Sequence, residues 1–210
     1  LRSERWWLPI HLGFLPTALL AHGLARALDL HPGWFLAGFV LLLLVYWTSF
    51  HSRVPLYLSN RATAAALGQL LPAAPARLLD IGAGTGSVLR PLARARPDCR
   101  FTGIELAPIP WLLGHLLTRR LPNIDWRRGD LFAPAWSDCD VVYAFLSPVP
   151  MAEVWAKASA EMKPGSLLVS NSFAVPGIEA ERIVAVGDRR GTQLHLYRIG
   201  VPGDSADRPK

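Results

Sequence analysis

The sequence predicts an α/β protein, a doubly wound and mostly parallel sheet preceded by an N-terminal helical hairpin. Three observations carry this. Strand-like and helix-like segments alternate from Ala76 to Gly200, the pattern of a parallel sheet covered on both faces. A glycine-rich turn, Gly82-Ala83-Gly84-Thr85-Gly86, joins the first strand of that alternation to its first helix. Two long runs without a charged residue, Trp6 to Ala25 and Leu30 to Ser52, come first.

The two runs explain the composition. Of 210 residues 51% are hydrophobic and 18% charged, with mean hydropathy +0.24; soluble proteins carry roughly 25% charged residues. Disorder is excluded, since disordered chains are polar and highly charged. The surplus is local: 31 of the 38 charged residues lie from Ala76 onward. Cys99 and Cys139 make neither a disulfide framework nor a zinc cluster, and point to a reducing compartment.

The second run holds Trp34 to Phe50, WFLAGFVLLLLVYWTSF. A helix of about 18–20 residues just spans a ~30 Å hydrocarbon core. Pro32 suits its first turn, and Trp34 and Trp47 lie near its ends, where indoles favour the membrane interface. The first run carries Pro9, Pro16, His11 and His22, and reads as a spanning or half-inserted helix paired with the second. Arg2, Arg5, Arg53 and Arg61 flank the outer ends against Arg26 in the connection, so both ends are expected on the cytoplasmic side of the membrane. The alternative is a buried helical hairpin inside a soluble protein; a cleaved signal peptide fits less well, because Trp6, Trp7 and Pro9 break its layout. His11 and His22 are three helical turns apart; packing or hydrogen bonding is their plainer role, and no metal is expected. The expected organisation is a membrane-anchoring hairpin over 1–52, a connector helix over 53–75, the sheet domain over 76–200 and a polar tail over 201–210.

The elements follow in order. Ser59 or Asn60 can cap a connector helix that runs to about Leu71, with Pro72 and Pro75 ending it. Strands are predicted over 76–82, 99–105, 124–130, 140–147 and 166–173, the first a short apolar run of the kind buried in a parallel sheet. Helices are predicted over 87–96, 108–120 and 152–162. Segments 182–188 and 193–200 flank Arg189-Arg190-Gly191-Thr192, a hairpin signal. Only about eight residues, 174–181, separate the fifth and sixth strands, too few for a helical crossover.

Ligands of such sheets bind at the carboxyl ends of the strands, near the topological switch point. Asp80, Glu105 and Asp130 close the first three strands and so share one edge. Glycines let the turn after Asp80 bend tightly and let a ligand approach the backbone. A dinucleotide-binding turn would read G-x-G-x-x-G and would face a pyrophosphate. Here Asp80 stands two residues before the first glycine, and a carboxylate there suits a cationic ligand.

LLDIGAGTG, GIEL, RRGDLF and MKPGSLLVSNSF together resemble the class I S-adenosylmethionine-dependent methyltransferases over about 76–200. The resemblance implies a seven-stranded Rossmann-like methyltransferase sheet whose last strand is antiparallel, with S-adenosyl-L-methionine as cofactor. It implies that Asp80, Gly82, Gly84 and Gly86 line the methionine and sulfonium part, that Glu105 accepts from the ribose hydroxyls, and that Asp130 with the Leu131 backbone meets the adenine amino group. The whole chain is similar to the membrane-anchored ATP synthase c-subunit lysine methyltransferase-like family, through its apolar anchor, the connector VPLYLSNRATAAAL, the turn YAFLSPVP and the strand LLVSNSF. That implies methylation of a lysine side chain in a membrane-protein substrate. Family members often read Gly-x-Gly-Asp-Gly-Arg and His-Asp where this chain has Gly82-Ala83-Gly84-Thr85-Gly86-Ser87 and Asn171-Ser172.

A lysine must lose its proton before it attacks, and an apolar slot lowers its pKa. Phe145, Ser147 and Asn171, after the fourth and fifth strands, and Tyr57 in the connector are candidates to form that slot. Phe145 stands where methyltransferases of nucleic acids and glutamine place an amide, which argues against those targets. A lipid or membrane-partitioned small molecule is the alternative acceptor. RNA is disfavoured despite a net charge of +6, as is a non-catalytic role, given the acids and glycines.

Overall fold

The computed structural model describes residues 7–29, 31–45 and 59–200, with side chains from residue 12. The chain forms two compact units, residues 1–42 and 43–210, and each is taken by itself.

In the first, α1 spans Trp7–Ala27. Pro16 lies inside it, where its missing N–H interrupts the ladder, and Thr17 Oγ1 donates to the Gly13 carbonyl at 2.7 Å. The second helix, α2 (Gly33–Val45), crosses the boundary between the units. His31 Nδ1 accepts from the Gly33 N–H at its start. Phe14, Leu15, Leu19, Leu20 and Leu24 on α1, and Trp34, Phe35, Leu36 and Phe39 on α2, are all more than half exposed. Among the described residues no helix is long and apolar enough to cross a membrane. Two features underlie this. The described α2 has 13 residues, about 20 Å of helix, and the rest of the expected span, Tyr46 to Ser52, lies outside the described residues. The longer α1 carries His, Thr, Gly and Arg26 among its leucines. His11 and Tyr57 are side chains outside the described set.

The second unit is built on a seven-stranded sheet of order β3-β2-β1-β4-β5-β7-β6. Its strands are β1 (Arg77–Ile81), β2 (Arg100–Glu105), β3 (Ile124–Arg128), β4 (Val141–Ala144), β5 (Leu167–Asn171), β6 (Arg182–Ala185) and β7 (Gln193–Arg198). Pairing is parallel throughout except at β7, which runs antiparallel to both β5 and β6. The chain moves outward from β1 to β3 and then returns to the other side of β1 with β4. The switch point therefore lies between β1 and β4, at the start of the glycine turn.

Helices cover both faces. The connector helix α3 (Arg61–Leu70) is capped by Asn60, whose Oδ1 accepts from the Thr63 N–H at 2.9 Å. With α4 (Leu89–Ala95) it buries Leu67, Leu89 and Leu92 against Leu78, Phe101, Val141, Tyr143 and Val169. On the other face α6 (Met151–Glu161) packs Met151, Val154 and Ala158 on Leu79, Ile81, Val142 and Leu168, together with the fully buried Trp136. Beside the β3 edge lies α5 (Pro108–Thr118), with Pro108 in its first turn. An added Cβ at Gly114 would stand 1.9 Å from the Trp126 ring, so only glycine admits the indole of β3 there. No helix joins β5 to β6, as the short connection requires.

Candidate active site

The carboxyl edge of the sheet gathers the acids, at unequal depths. Asp80 is the penultimate residue of β1, beside Gly103 of β2 and Tyr143 of β4 in register, and is 3% exposed. Burial, and then the nearby Glu105 charge, push its carboxyl up to about 8. Glu105 ends β2 and is 6% exposed. Its Oε2 accepts from the Gly84 N–H and its Oε1 from the Ala107 N–H, each at 2.8 Å. Burial raises its pKa while these backbone donors pull it down. Each oxygen keeps a lone pair for a further donor. Asp130 differs from the expectation that it closes the third strand. That strand stops at Arg128, and the Gly129 N–H turns back to the Glu105 carbonyl at 3.2 Å. Asp130 is thus exposed in the following loop, its Oδ1 accepting from the Phe132 N–H at 3.0 Å. Leu131 beside it is half-buried against the core.

The glycine turn closes on itself. The Gly82 and Ala83 N–H groups donate to the Ile104 carbonyl and the Gly86 N–H to that of Ala83. Gly82 has φ +76°, a conformation L side chains avoid, and an added Cβ there would meet Leu146 at 2.8 Å. Gly84 and Gly86 share the left-handed geometry. A side chain at any of these positions would be strained, and at Gly86 an added Cβ would also press on Thr118 at 3.3 Å and on the Trp126 ring at 3.4 Å.

The candidate acceptor residues follow β4 and β5. Phe145 is half-buried beside the core. Ser147 is 5% exposed, and its buried Oγ has no hydrogen-bond partner among the described residues. Asn171 is held at both ends of its amide: its Nδ2 donates to the Tyr143 hydroxyl and its Oδ1 accepts from Ser172 Oγ, both at 2.8 Å. Ser172 itself sits at φ +65°, a strained conformation for a side-chain-bearing residue. Tyr143 is the residue that sequence reasoning missed. Its hydroxyl, 2.8 Å from both Asn171 Nδ2 and Ser59 Oγ, ties the start of the connector to β4 and β5. The available signal was a phenol inside an otherwise apolar strand, which demands a buried partner.

The family model described as the ANTKMT methyltransferase domain matches residues 80–182, just under half of the chain. The chain is 29% identical over 169 residues to the adenine nucleotide translocase lysine N-methyltransferase of Mus musculus, which covers 75% of this chain and 72% of that protein. The chain is a class I S-adenosylmethionine-dependent methyltransferase. A further similarity, 31% identity over 103 residues, reaches the demethylmenaquinone methyltransferase of Tropheryma whipplei, over 47% of this chain and 42% of that one. Among solved structures, an RNA methyltransferase from Salinibacter ruber in complex with S-adenosyl-L-homocysteine shares the fold with a TM-score of 0.62 at 22% identity, over 73% of this chain and 97% of that one.

The methyltransferase site fits its cofactor by chemistry. S-adenosylmethionine presents two cationic centres and two ribose hydroxyls. Asp80 and Glu105 are buried carboxyls with no cation paired to them among the described residues. The glycine turn lies between them, its Gly84 N–H held by Glu105.

Proposed function

We propose that this methyltransferase transfers the methyl group to a lysine side-chain nitrogen of a protein held at the membrane. The observation that carries the reading is the similarity to a relative named for lysine N-methylation, over three quarters of this chain. In this reading Asp80 and the glycines Gly82, Gly84 and Gly86 hold the methionine and sulfonium part. Glu105 accepts from the ribose hydroxyls, and Asp130 with the Leu131 backbone borders the adenine. When bound, the cofactor supplies a methyl carbon activated by its sulfonium; the protein supplies binding and alignment. Phe145 gives the acceptor slot an apolar wall, which favours the neutral amine over the ammonium ion. The Ser147 hydroxyl, buried and unpaired, accepts from an amine N–H and orients the nitrogen lone pair. Asn171 acts through Tyr143, fixing the end of β4.

The location rests on the apolar runs and on the exposed leucines and aromatics of α1 and α2, a surface that water leaves uncovered at cost. The arginines at the outer ends of the runs orient the catalytic unit to the cytoplasmic side of the membrane. A second reading, methylation of a lipid or a membrane-partitioned small molecule, is favoured by the relative named for demethylmenaquinone.

The experiment is a partition of label. Membranes from cells lacking the protein are incubated with the purified chain and S-adenosylmethionine tritiated at the methyl group. Label in a protein band, recovered as methyl-lysine after hydrolysis, is the expected result. Label confined to the lipid extract would establish the second reading instead.

A further inference from the structure

We propose that the outer face of α5 is a membrane-contacting surface of the methyltransferase unit, seating it on a bilayer with anionic headgroups. This rests on the proposed membrane location, but is argued from residues other than those of the N-terminal runs.

The inner face of α5 is settled by packing. Pro110, Gly114 and Thr118, four residues apart, are buried. Trp126 fills the slot at Gly114, and its Nε1 donates to the Trp111 carbonyl at 2.9 Å. That contact fixes the rotation of the helix and turns its leucines outward. Leu112, Leu113, Leu116 and Leu117 are 44, 46, 48 and 47% exposed, and Leu106 before the helix is 38% exposed. The spacing i, i+1, i+4, i+5 makes these four one continuous stripe. Four half-exposed leucines side by side are unusual on a soluble surface; scattered single ones are not.

The charge around the stripe selects its occupant. From Leu106 to Ile124 there is no Asp or Glu. Arg119 and Arg120 are exposed at the carboxyl end of the helix. Arg128 lies over the Trp111 ring at 5.8 Å. An apolar stripe rimmed by arginine complements acyl chains beneath anionic headgroups. A second copy of the chain would bring arginine against arginine. RNA would find the cations and the stacked Trp111 and His115 rings, but the four leucines that make up the stripe offer it neither rings nor hydrogen-bond donors.

The test uses the full chain with Cys139→Ser, carrying an environment-sensitive fluorophore at Leu117→Cys, or at Glu153→Cys on the exposed side of α6 as the control. Vesicles are phosphatidylcholine alone or an equal mixture with phosphatidylglycerol, with nitroxide quenchers on the acyl chains. The expected result is a blue shift and quenching at position 117 and not at 153. Quenching at 117 is stronger on the anionic vesicles by about tenfold in apparent affinity, a preference that Arg119→Glu with Arg120→Glu removes. Leu112→Ser with Leu113→Ser is expected to abolish quenching at 117 while the chain still floats with the vesicles. An unquenched 117 on a chain that floats would overturn this inference and leave the membrane location standing; a chain that does not float at all would overturn both. A blue shift without vesicles that grows with protein concentration, or one produced by poly(U), would assign the face to a second copy or to RNA and overturn it.

Discussion

Two ends of one strand, three residues apart, treat charge in opposite ways. Arg77 opens β1 at the amino edge of the sheet, exposed, 3.3 Å from an Asp138 carboxylate that also lies 3.5 Å from Lys163. Asp80 sits near the carboxyl end of the same strand, buried, with Glu105 and no cation nearby. At the amino edge acids are paired and wet: Arg96 and Asp98 before β2 follow the same pattern at 2.6 Å. At the carboxyl edge two of the acids, Asp80 and Glu105, are dry and face each other, while Asp130 stays exposed. A fold that only needed stability would not bury two neighbouring carboxyls. Their placement is the mark of an edge shaped for a ligand rather than for the sheet.

The largest expected effect breaks the carboxyl edge. Glu105→Ala removes the acceptor of two buried backbone donors, Gly84 N–H and Ala107 N–H, each costing about 1–3 kcal/mol when left unpaired. It also removes the proposed ribose contact. Titration calorimetry is expected to show S-adenosylmethionine affinity down by about two orders of magnitude or more, and Asp80→Ala is expected to abolish binding. Unchanged affinity in both variants would remove the site from this edge.

The next effect is one of pH. The folded state holds the Asp80 proton up to about pH 8, whereas its ordinary value is 3.8. Between these values the native state binds more protons than the unfolded one, so Asp80 makes stability fall as pH rises. Asp80→Asn is expected to flatten that slope between pH 4 and 8 and to be more stable than the parent near pH 8, as read from urea midpoints. The parent binds a cationic cofactor best with Asp80 ionised, so binding below pH 8 is expected to release a proton. Calorimetry in buffers of different ionisation enthalpy measures it. Binding heats independent of the buffer would contradict a buried acid that ionises on binding.

Much of this was legible in the sequence, for a physical reason. Parallel strands buried on both faces are short apolar runs, so β1 and β5 stand out, and the acids Asp80 and Glu105 mark the ends of β1 and β2. The third strand was read two residues too long, because it pairs only with β2 and its end is decided by a hydrogen bond from Gly129 to Glu105. The Ser59–Tyr143–Asn171 chain was invisible, since it joins residues 84 and 28 positions apart. The outward stripe of α5 was hidden for the opposite reason. A helix as apolar as PIPWLLGHLLT reads as core, and only the Trp126 contact at Gly114 shows which side faces out.

Tyr143→Phe probes the border between the two kinds of polar group. The phenol is buried, and burial together with the nearby Asp80 charge pushes its pKa up, so it remains neutral at working pH. Its removal leaves the Asn171 amide without its acceptor, at a cost of about 1–3 kcal/mol in urea unfolding. Cofactor affinity is expected to change little, since neither Tyr143 nor Asn171 is placed against the cofactor. Turnover is expected to fall with it, because the end of β4 loses its anchor.

The smallest effect belongs to the amino edge. Arg77→Ala deletes one exposed ion pair, but Asp138 keeps Lys163, and the Arg77 N–H, which survives the substitution, still donates to Asp140 Oδ2 at 2.7 Å. Exposed pairs contribute about 0–1 kcal/mol and are screened by salt. Arg77→Ala is therefore expected to shift the unfolding free energy by about 0.5 kcal/mol or less, with the difference vanishing in high salt, and to leave cofactor affinity untouched. A loss comparable to that of Tyr143→Phe would mean that the surface pairs clamp the strand ends together. The amino edge would then hold the fold through charge as surely as the core holds it through burial, and the contrast between the two ends of β1 would reduce to one of depth.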